Sequence, residues 1–178
     1  VNLLFSPHND DEAIFASYVI AREHPLVVVC FRGAAHYGAA NLRAEESRRA
    51  CAILGASFEQ WDARVYEALI ARMRDFDRER RPDRVWAPDE FTSHTDHIVV
   101  SCAAREVFRG RLTTYCTYAI GVDGAPKKVT SARPSLPAEP QHVLLKLRAM
   151  ACYESQICHP RAGQFFTWSL DEWLGEDH

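Results

Sequence analysis

The sequence contains no apolar run of about 18 residues, the length a membrane-spanning helix needs, so no transmembrane segment is expected. No signal peptide is visible. There is no basic excess either: 21 Lys and Arg stand against 24 Asp and Glu, a net charge of −3. That removes the electrostatic footprint of a nucleic-acid binder. The basic run Arg78-Glu79-Arg80-Arg81 is read as a solvated helix end, where cations suit the helix dipole. None of the six cysteines, Cys30, Cys51, Cys102, Cys116, Cys152 and Cys158, forms a CxxC pair. A chain of 178 residues needs no covalent staples. The cysteines are therefore read as buried free thiols acting as small hydrophobes, which implies a reducing, cytoplasmic compartment. The sequence lacks a GxGxxG motif, so nothing invokes a dinucleotide, and it has no internal repeat or low-complexity tract.

What is present is ordinary in amount and specific in arrangement. The apolar fraction is 47% and the charged fraction 25%, as expected for one domain over 1–178 with a full core. Strand-like and helix-like segments alternate. Strands are expected at 2–6, 26–31, 57–62, 84–87 and 113–120, with a further short one at 127–130. Helices are expected at 11–23, 41–54 (closed by Gly55), 64–81 (stopped by Pro82), 96–109 and 141–157. Residues 33–40 read as a loop of small residues, and the tail from His159, with Trp168 and Trp173, is expected to pack back on the core. Alternation of this kind predicts a three-layer α/β fold with a mostly parallel central sheet and helices on both faces. Right-handed crossovers then bring every strand-to-helix turn to one edge of that sheet.

Two such turns carry chemistry. Ser6-Pro7-His8-Asn9-Asp10-Asp11-Glu12 follows the first strand, and His94-Thr95-Asp96-His97 follows the strand at 84–87. Helix capping alone would account for an Asp-Asp pair; it does not account for two histidine–carboxylate clusters at two strand ends. Catalytic zinc takes three protein ligands, often His and carboxylate, and keeps one position for water. His8, Asp11 and His97 supply such a set. Asp10 then lies beside the metal as a general base, kept ionised by the helix N-terminus and the cation. His94 is left free, in protonated form, for an oxyanion or a leaving amine, with Asp96 orienting it. Glu12 is read as a support of the turn or a helix cap. His36, in the small-residue loop, is a candidate substrate contact, whereas His24 reads as a helix terminus.

These residues resemble a known family. The segment at 6–12 is similar to the PHPDDE signature of the LmbE-like (PIG-L) N-deacetylases, which include GlcNAc-phosphatidylinositol de-N-acetylases. His94-Thr95-Asp96-His97 resembles that family's HPDH element. Leu42-Arg43-Ala44-Glu45-Glu46 with Ala50 and Leu54-Gly55 resembles its RxxE…A…LG helix. Lys146, Ala149, Tyr153 and Ser155-Gln156 resemble its K..A…SQ helix. Asn9 and Thr95 stand where the family often has proline. The resemblance implies a Rossmann-like fold, His8, Asp11 and His97 as metal ligands, Asp10 as base, and His94, tuned by Asp96, at the tetrahedral intermediate. It places Arg43 and Glu46 near the site, with Arg43 as a candidate substrate-binding residue.

The expected activity is Zn²⁺-dependent hydrolysis of the N-acyl group, here acetyl, of an N-acetylated amino sugar or glycoconjugate. Fe²⁺ also suits two histidines and a carboxylate. The alternatives are a metal-dependent hydrolase of another bond, such as a phosphoesterase, and a catalytically inactive metal- or sugar-binding module.

Overall fold

Short apolar runs build the centre of the molecule. The computed structural model describes residues 1–32, 40–63, 65–120, 122, 126–129, 138–158 and 172. β1 (Leu3–Ser6) leads through α1 (Asp11–Phe15) and α2 (Ser17–Glu23) to β2 (Leu26–Val29). α3 (Ala40–Ile53), β3 (Ser57–Gln60), α4 (Tyr66–Arg80), β4 (Val85–Pro88), α5 (Thr95–Phe108) and β5 (Leu112–Tyr115) follow. The five strands form one sheet in the order β3-β2-β1-β4-β5, and every neighbouring pair is parallel. β6 (Tyr118–Ile120) and β7 (Pro126–Lys128) make a separate antiparallel ribbon. α6 (Pro140–Met150) and α7 (Glu154–Ile157) complete the described elements.

Successive strand residues point to opposite faces, and both faces are covered. Leu4, Val27 and Trp86 pack with Ile14, Ile20, Ala50 and Met150, so α1, α2, α3 and α6 cover one face. Leu3, Phe5, Val28 and Val85 pack with Met73, Phe76, Val100 and Phe108, so α4 and α5 cover the other. This is the three-layer, Rossmann-like architecture expected from the alternation. The chain winds outward from β1 through β2 to β3, then crosses to β4 on the other side of β1. The carboxyl ends of β1 and β4 therefore flank the topological switch point, where open α/β sheets bind ligands.

Three expected elements are divided. The helix expected over 11–23 breaks at Ala16 (φ −133°, ψ 13°), where Ser17 Oγ donates to the Ala13 carbonyl at 2.6 Å. Side-chain bonding of this kind competes with the helical ladder. The strand expected over 113–120 ends at Tyr115 and resumes at Tyr118, leaving Cys116 and Thr117 between the sheet and the ribbon. The helix expected over 141–157 stops at Met150, and Tyr153 (φ −93°, ψ 56°) caps α7 with its ring fully buried. Gly55, as expected, closes α3 with φ +79°, and a Cβ there would meet His24 Nδ1 at 2.7 Å. His24 itself ends α2 in the left-handed region (φ 46°).

All six cysteines are free; Cys30, Cys51 and Cys116 are buried, Cys102 and Cys152 partly so, and Cys158 is exposed. The exposure of Cys158 departs from the expectation of buried thiols. Among the described residues no helix is long and apolar enough to cross a membrane. The loop at 33–39 with His36, and Trp168 and Trp173, lie outside the described residues. Glu172 does pack back on the domain, 4% exposed.

Candidate metal centre and catalytic site

The turn after β1 is held from several sides. Ser6 Oγ donates to the His8 carbonyl at 2.9 Å and to Glu12 Oε2 at 3.3 Å. The Asp10 N–H donates to the same Glu12 oxygen at 3.1 Å, and the Tyr153 hydroxyl donates to Glu12 Oε1. Glu12 is therefore a buried brace for the turn. Asn9, wholly buried, donates through Nδ2 to Ser47 Oγ at 2.9 Å and to Gln60 Oε1 at 2.8 Å. Arg43, on α3, donates to the Asn9 carbonyl and to Asp10 Oδ2 at 3.1 Å. Asp10 sits at φ 113°, a conformation that non-glycine residues rarely adopt. Strain of this kind persists where the surroundings over-determine it, and it clusters at functional sites.

The turn after β4 delivers the second cluster. His94 is the N-cap of α5, and its Nδ1 accepts the Asp96 N–H at 3.3 Å. His97, one turn in, is fully buried, and its Nδ1 pairs with Thr117 Oγ1 at 3.1 Å. The two clusters meet. His8 Nε2 lies 2.8 Å from Asp96 Oδ2. Asp11 Oδ2 lies 3.2 Å from His8 Nδ1 and 3.1 Å from His97 Nε2. The His8 ring is 4.8 Å from that of His94 and 5.4 Å from that of His97. One nitrogen from each of His8, His94 and His97 lies within 4.8 Å of the others.

His97 Nε2 provides the test of whether a cation fits. It is buried and close to Asp11 Oδ2, yet it makes no hydrogen bond. A buried ring nitrogen without a partner is costly; when Nδ1 donates to Thr117 Oγ1, Nε2 presents its lone pair. Imidazole nitrogens and carboxylate oxygens are the donor types of a divalent zinc site, and the histidines whose nitrogens gather here are His8, His94 and His97, with Asp11 Oδ2 in contact with His8 and His97. His97 Nδ1 is occupied by Thr117, which fixes the ring so that Nε2 faces inward.

The electrostatics separate the groups. Burial lowers the proton affinity of His8, but hydrogen bonds to Asp11 and Asp96 outweigh it and hold its pKa up at about 9. Burial works against charge on Asp11, yet His97 and His8 hold its carboxyl well below the ordinary range. Asp10 is pushed up to about 7 by burial, with Arg43 opposing and Asp11 and Glu12 reinforcing. His94 is pushed down to about 4 by burial and by the neighbouring His8 and His97.

Several expectations change in detail: Asp10, expected to be kept ionised, is pushed toward its neutral form by burial. The Asp96 carboxylate, expected to orient His94, bonds His8; its reach to His94 is through the backbone N–H. His94, expected to act as an imidazolium, sits where the neutral ring is favoured. Its nitrogen also falls within the histidine cluster, although the sequence reading set it apart from the cation. Sequence reasoning passed over Thr117, Ser47 and Gln60, which carry no motif and act only through hydrogen bonds made across the fold.

Residues 3–108, more than half of the chain, match the family PIG-L, described as GlcNAc-PI de-N-acetylase. The chain belongs to the PIG-L family. PIG-L membership accounts for both clusters at once, since the matched span includes each of them. A comparison with curated protein sequences finds no match. Among solved structures the chain is similar to N,N'-diacetylchitobiose deacetylase from Pyrococcus horikoshii, at 16% identity and TM-score 0.67, covering 98% of this chain and 82% of that one. It is also similar to a teicoplanin-pathway deacetylase in complex with teicoplanin, at 16% identity and TM-score 0.66, covering 97% and 95%. GalB, a 4-carboxy-2-hydroxymuconate hydratase from Pseudomonas putida KT2440, is similar at 20% identity and TM-score 0.68, covering 93% and 82%. At such identities the likeness shows the shared fold, and a hydratase among the neighbours means that fold alone does not choose the reaction.

Proposed function

We propose that this PIG-L protein is a zinc-dependent N-deacetylase that hydrolyses the acetamide of an N-acetylated amino sugar or related glycoconjugate. The observation that carries the reading is the buried His97 Nε2, without a hydrogen-bond partner, facing Asp11 and His8 beside the strained Asp10. His8, Asp11 and His97 would hold the cation, and Fe²⁺ fits the same donors. Bound there, the metal supplies Lewis acidity toward a carbonyl oxygen and a lowered pKa for water.

The remaining roles fall to the chain's own side chains. Asp10 accepts the proton of the attacking water at its carboxylate, which Arg43 fixes from the α3 side. Nδ1 of His94 accepts the Asp96 N–H, so the proton of the neutral ring belongs on Nε2. That leaves Nε2 as a hydrogen-bond donor, suited to the oxyanion of the tetrahedral intermediate and ill suited to ligating a metal. Asp96 holds the His8 ring through Nε2 and leaves Nδ1 toward Asp11. Arg43 is buried and donates to the Asp10 carboxylate and the Asn9 carbonyl, which suits it to position the base. A cytoplasmic location goes with the free thiols.

The test is acetate release from a panel of N-acetylated sugars by zinc-loaded and by chelator-stripped protein. Acetate release that is lost on stripping and restored by zinc supports the proposal. Phosphate release from phosphoesters, or zinc binding with no turnover on the whole panel, would favour the other readings.

A further inference from the structure

The break between α1 and α2 separates one specific pair of backbone groups. In a continuous helix the Tyr18 N–H would donate to the Ile14 carbonyl, four residues earlier. At the Ala16 break that rung is open. Its two ends are instead taken by an ion pair from distant parts of the chain. Lys146 Nζ, from α6, donates to the Ile14 carbonyl at 2.7 Å. Glu172 Oε2, from the tail, accepts the Tyr18 N–H at 2.8 Å. Lys146 Nζ and Glu172 Oε1 close the bridge at 2.7 Å. Both side chains are buried, Lys146 at 1% and Glu172 at 4% exposure, and the Lys146 ammonium lies 5.0 Å from the centre of the Tyr18 ring.

We propose that the Lys146–Glu172 pair is a positioning device that occupies the missing rung of this helix and thereby sets the segment carrying Asp10 and Asp11. α1 is only five residues long, so an isolated helix of its length has no stability of its own. Its amino end is the catalytic turn: the Ala13 and Ile14 N–H groups both donate to the Asp10 carbonyl, at 2.9 and 3.0 Å. One residue before its carboxyl end, Phe15, is the Ile14 carbonyl that Lys146 holds. A pull at one end of so short an element is felt at the other. Two buried charges are costly to desolvate, and a plain helix through residue 16 would avoid that cost. The break and the pair together fix the direction in which α1 leaves the His8–Asp11 turn. The proposal rests on the assignment of Asp11 to the metal only for its functional consequence, not for the mechanical one.

Hydrogen exchange of full-length protein separates the two. In Glu172→Ala the Tyr18 amide should exchange faster, and so should the Ala13 and Ile14 amides, by about tenfold or more for a lost charge-assisted bond. Glu172→Gln keeps an acceptor for Tyr18 and should restore most of that protection. Should Glu172→Ala fail to fold, the double variant Lys146→Met/Glu172→Gln leaves no unpaired charge and is expected to fold; in it Ala13 and Ile14 should still exchange faster. Exchange at Ala13 and Ile14 unchanged from wild type in the folded variants would overturn the proposal and reduce the pair to a local staple. Zinc titration of the same proteins reads the consequence: a loss of about tenfold in affinity is expected, the size of effect seen when groups supporting ligands are removed. Faster exchange in the variants of a wild-type protein that binds no zinc would uphold the device and defeat the metal assignment instead.

Discussion

Arg43→Met tests the scaffold beneath the proposed base. Arg43 and Asp10 are 6% and 14% exposed at their side chains, with 3.1 Å between Nη2 and Oδ2. The same guanidinium holds the Asn9 carbonyl. Met fills a similar volume without the charge, so the loss is electrostatic. Hydrogen bonds to charged groups contribute about 1.5–3 kcal/mol each, and breaking a buried pair costs about 3–5 kcal/mol because one charge is left alone. Asp10 can escape part of that cost by taking up a proton, since burial already pushes its pKa up to about 7. The expected destabilisation is therefore about 2–4 kcal/mol. At about 2–4 °C per kcal/mol for a chain of this size, the melting temperature should fall by about 4–16 °C. Urea unfolding of wild type, Arg43→Met, Asp10→Asn and the double variant closes a cycle. The coupling between the two positions should be about 1 kcal/mol or more, because they touch. Additive effects would refute the pairing, and an unchanged melting temperature in Arg43→Met would refute the burial argument with it.

Asp10→Asn should retain zinc and lose turnover, measured by metal analysis and acetate release; turnover equal to wild type would remove Asp10 as the base. His8→Ala and His97→Ala should each lose zinc after dialysis. His94→Ala should keep zinc but lose about 100-fold or more in turnover, as for removal of one oxyanion donor; loss of the metal instead would make the three clustered histidines the ligand set. Gly55→Ala should destabilise by about 1–3 kcal/mol, since φ +79° and the His24 ring both oppose a Cβ. The addition of His24→Ala should recover the part due to the ring contact, as read by urea unfolding.

The centre of the sheet was legible because β1, β2 and β4 are buried and read as short apolar runs, as Leu26–Val29 does. The meeting of His8 with His97 was legible because crossover handedness sends every strand-to-helix turn to one edge. The breaks were not. Residues 11–23 keep helical periodicity straight through Ala16, and the groups that satisfy the opened rung, Lys146 and Glu172, lie far away in sequence. Tyr153 lies between α6 and α7 with its hydroxyl bonded to Glu12, which no local pattern announces. Within the site, spacing identified which residues gather but not which carboxylate faces which ring. Asp96 was paired with the histidine two positions before it, whereas the fold gives its carboxylate to His8, 88 positions away. Thr117 carried no signal at all, because its role exists only once β5 has turned toward the ribbon.

The proposed chemistry needs one cation among His8, Asp11 and His97, next to an Asp10 that does not bind it. Anomalous diffraction at the zinc absorption edge, from crystals grown with zinc, tests this directly. A single strong peak is expected within about 2.0–2.2 Å of His8, His97 and Asp11 donor atoms, with Asp10 outside bonding distance. A peak ligated by Asp10, or none between these residues, would contradict it.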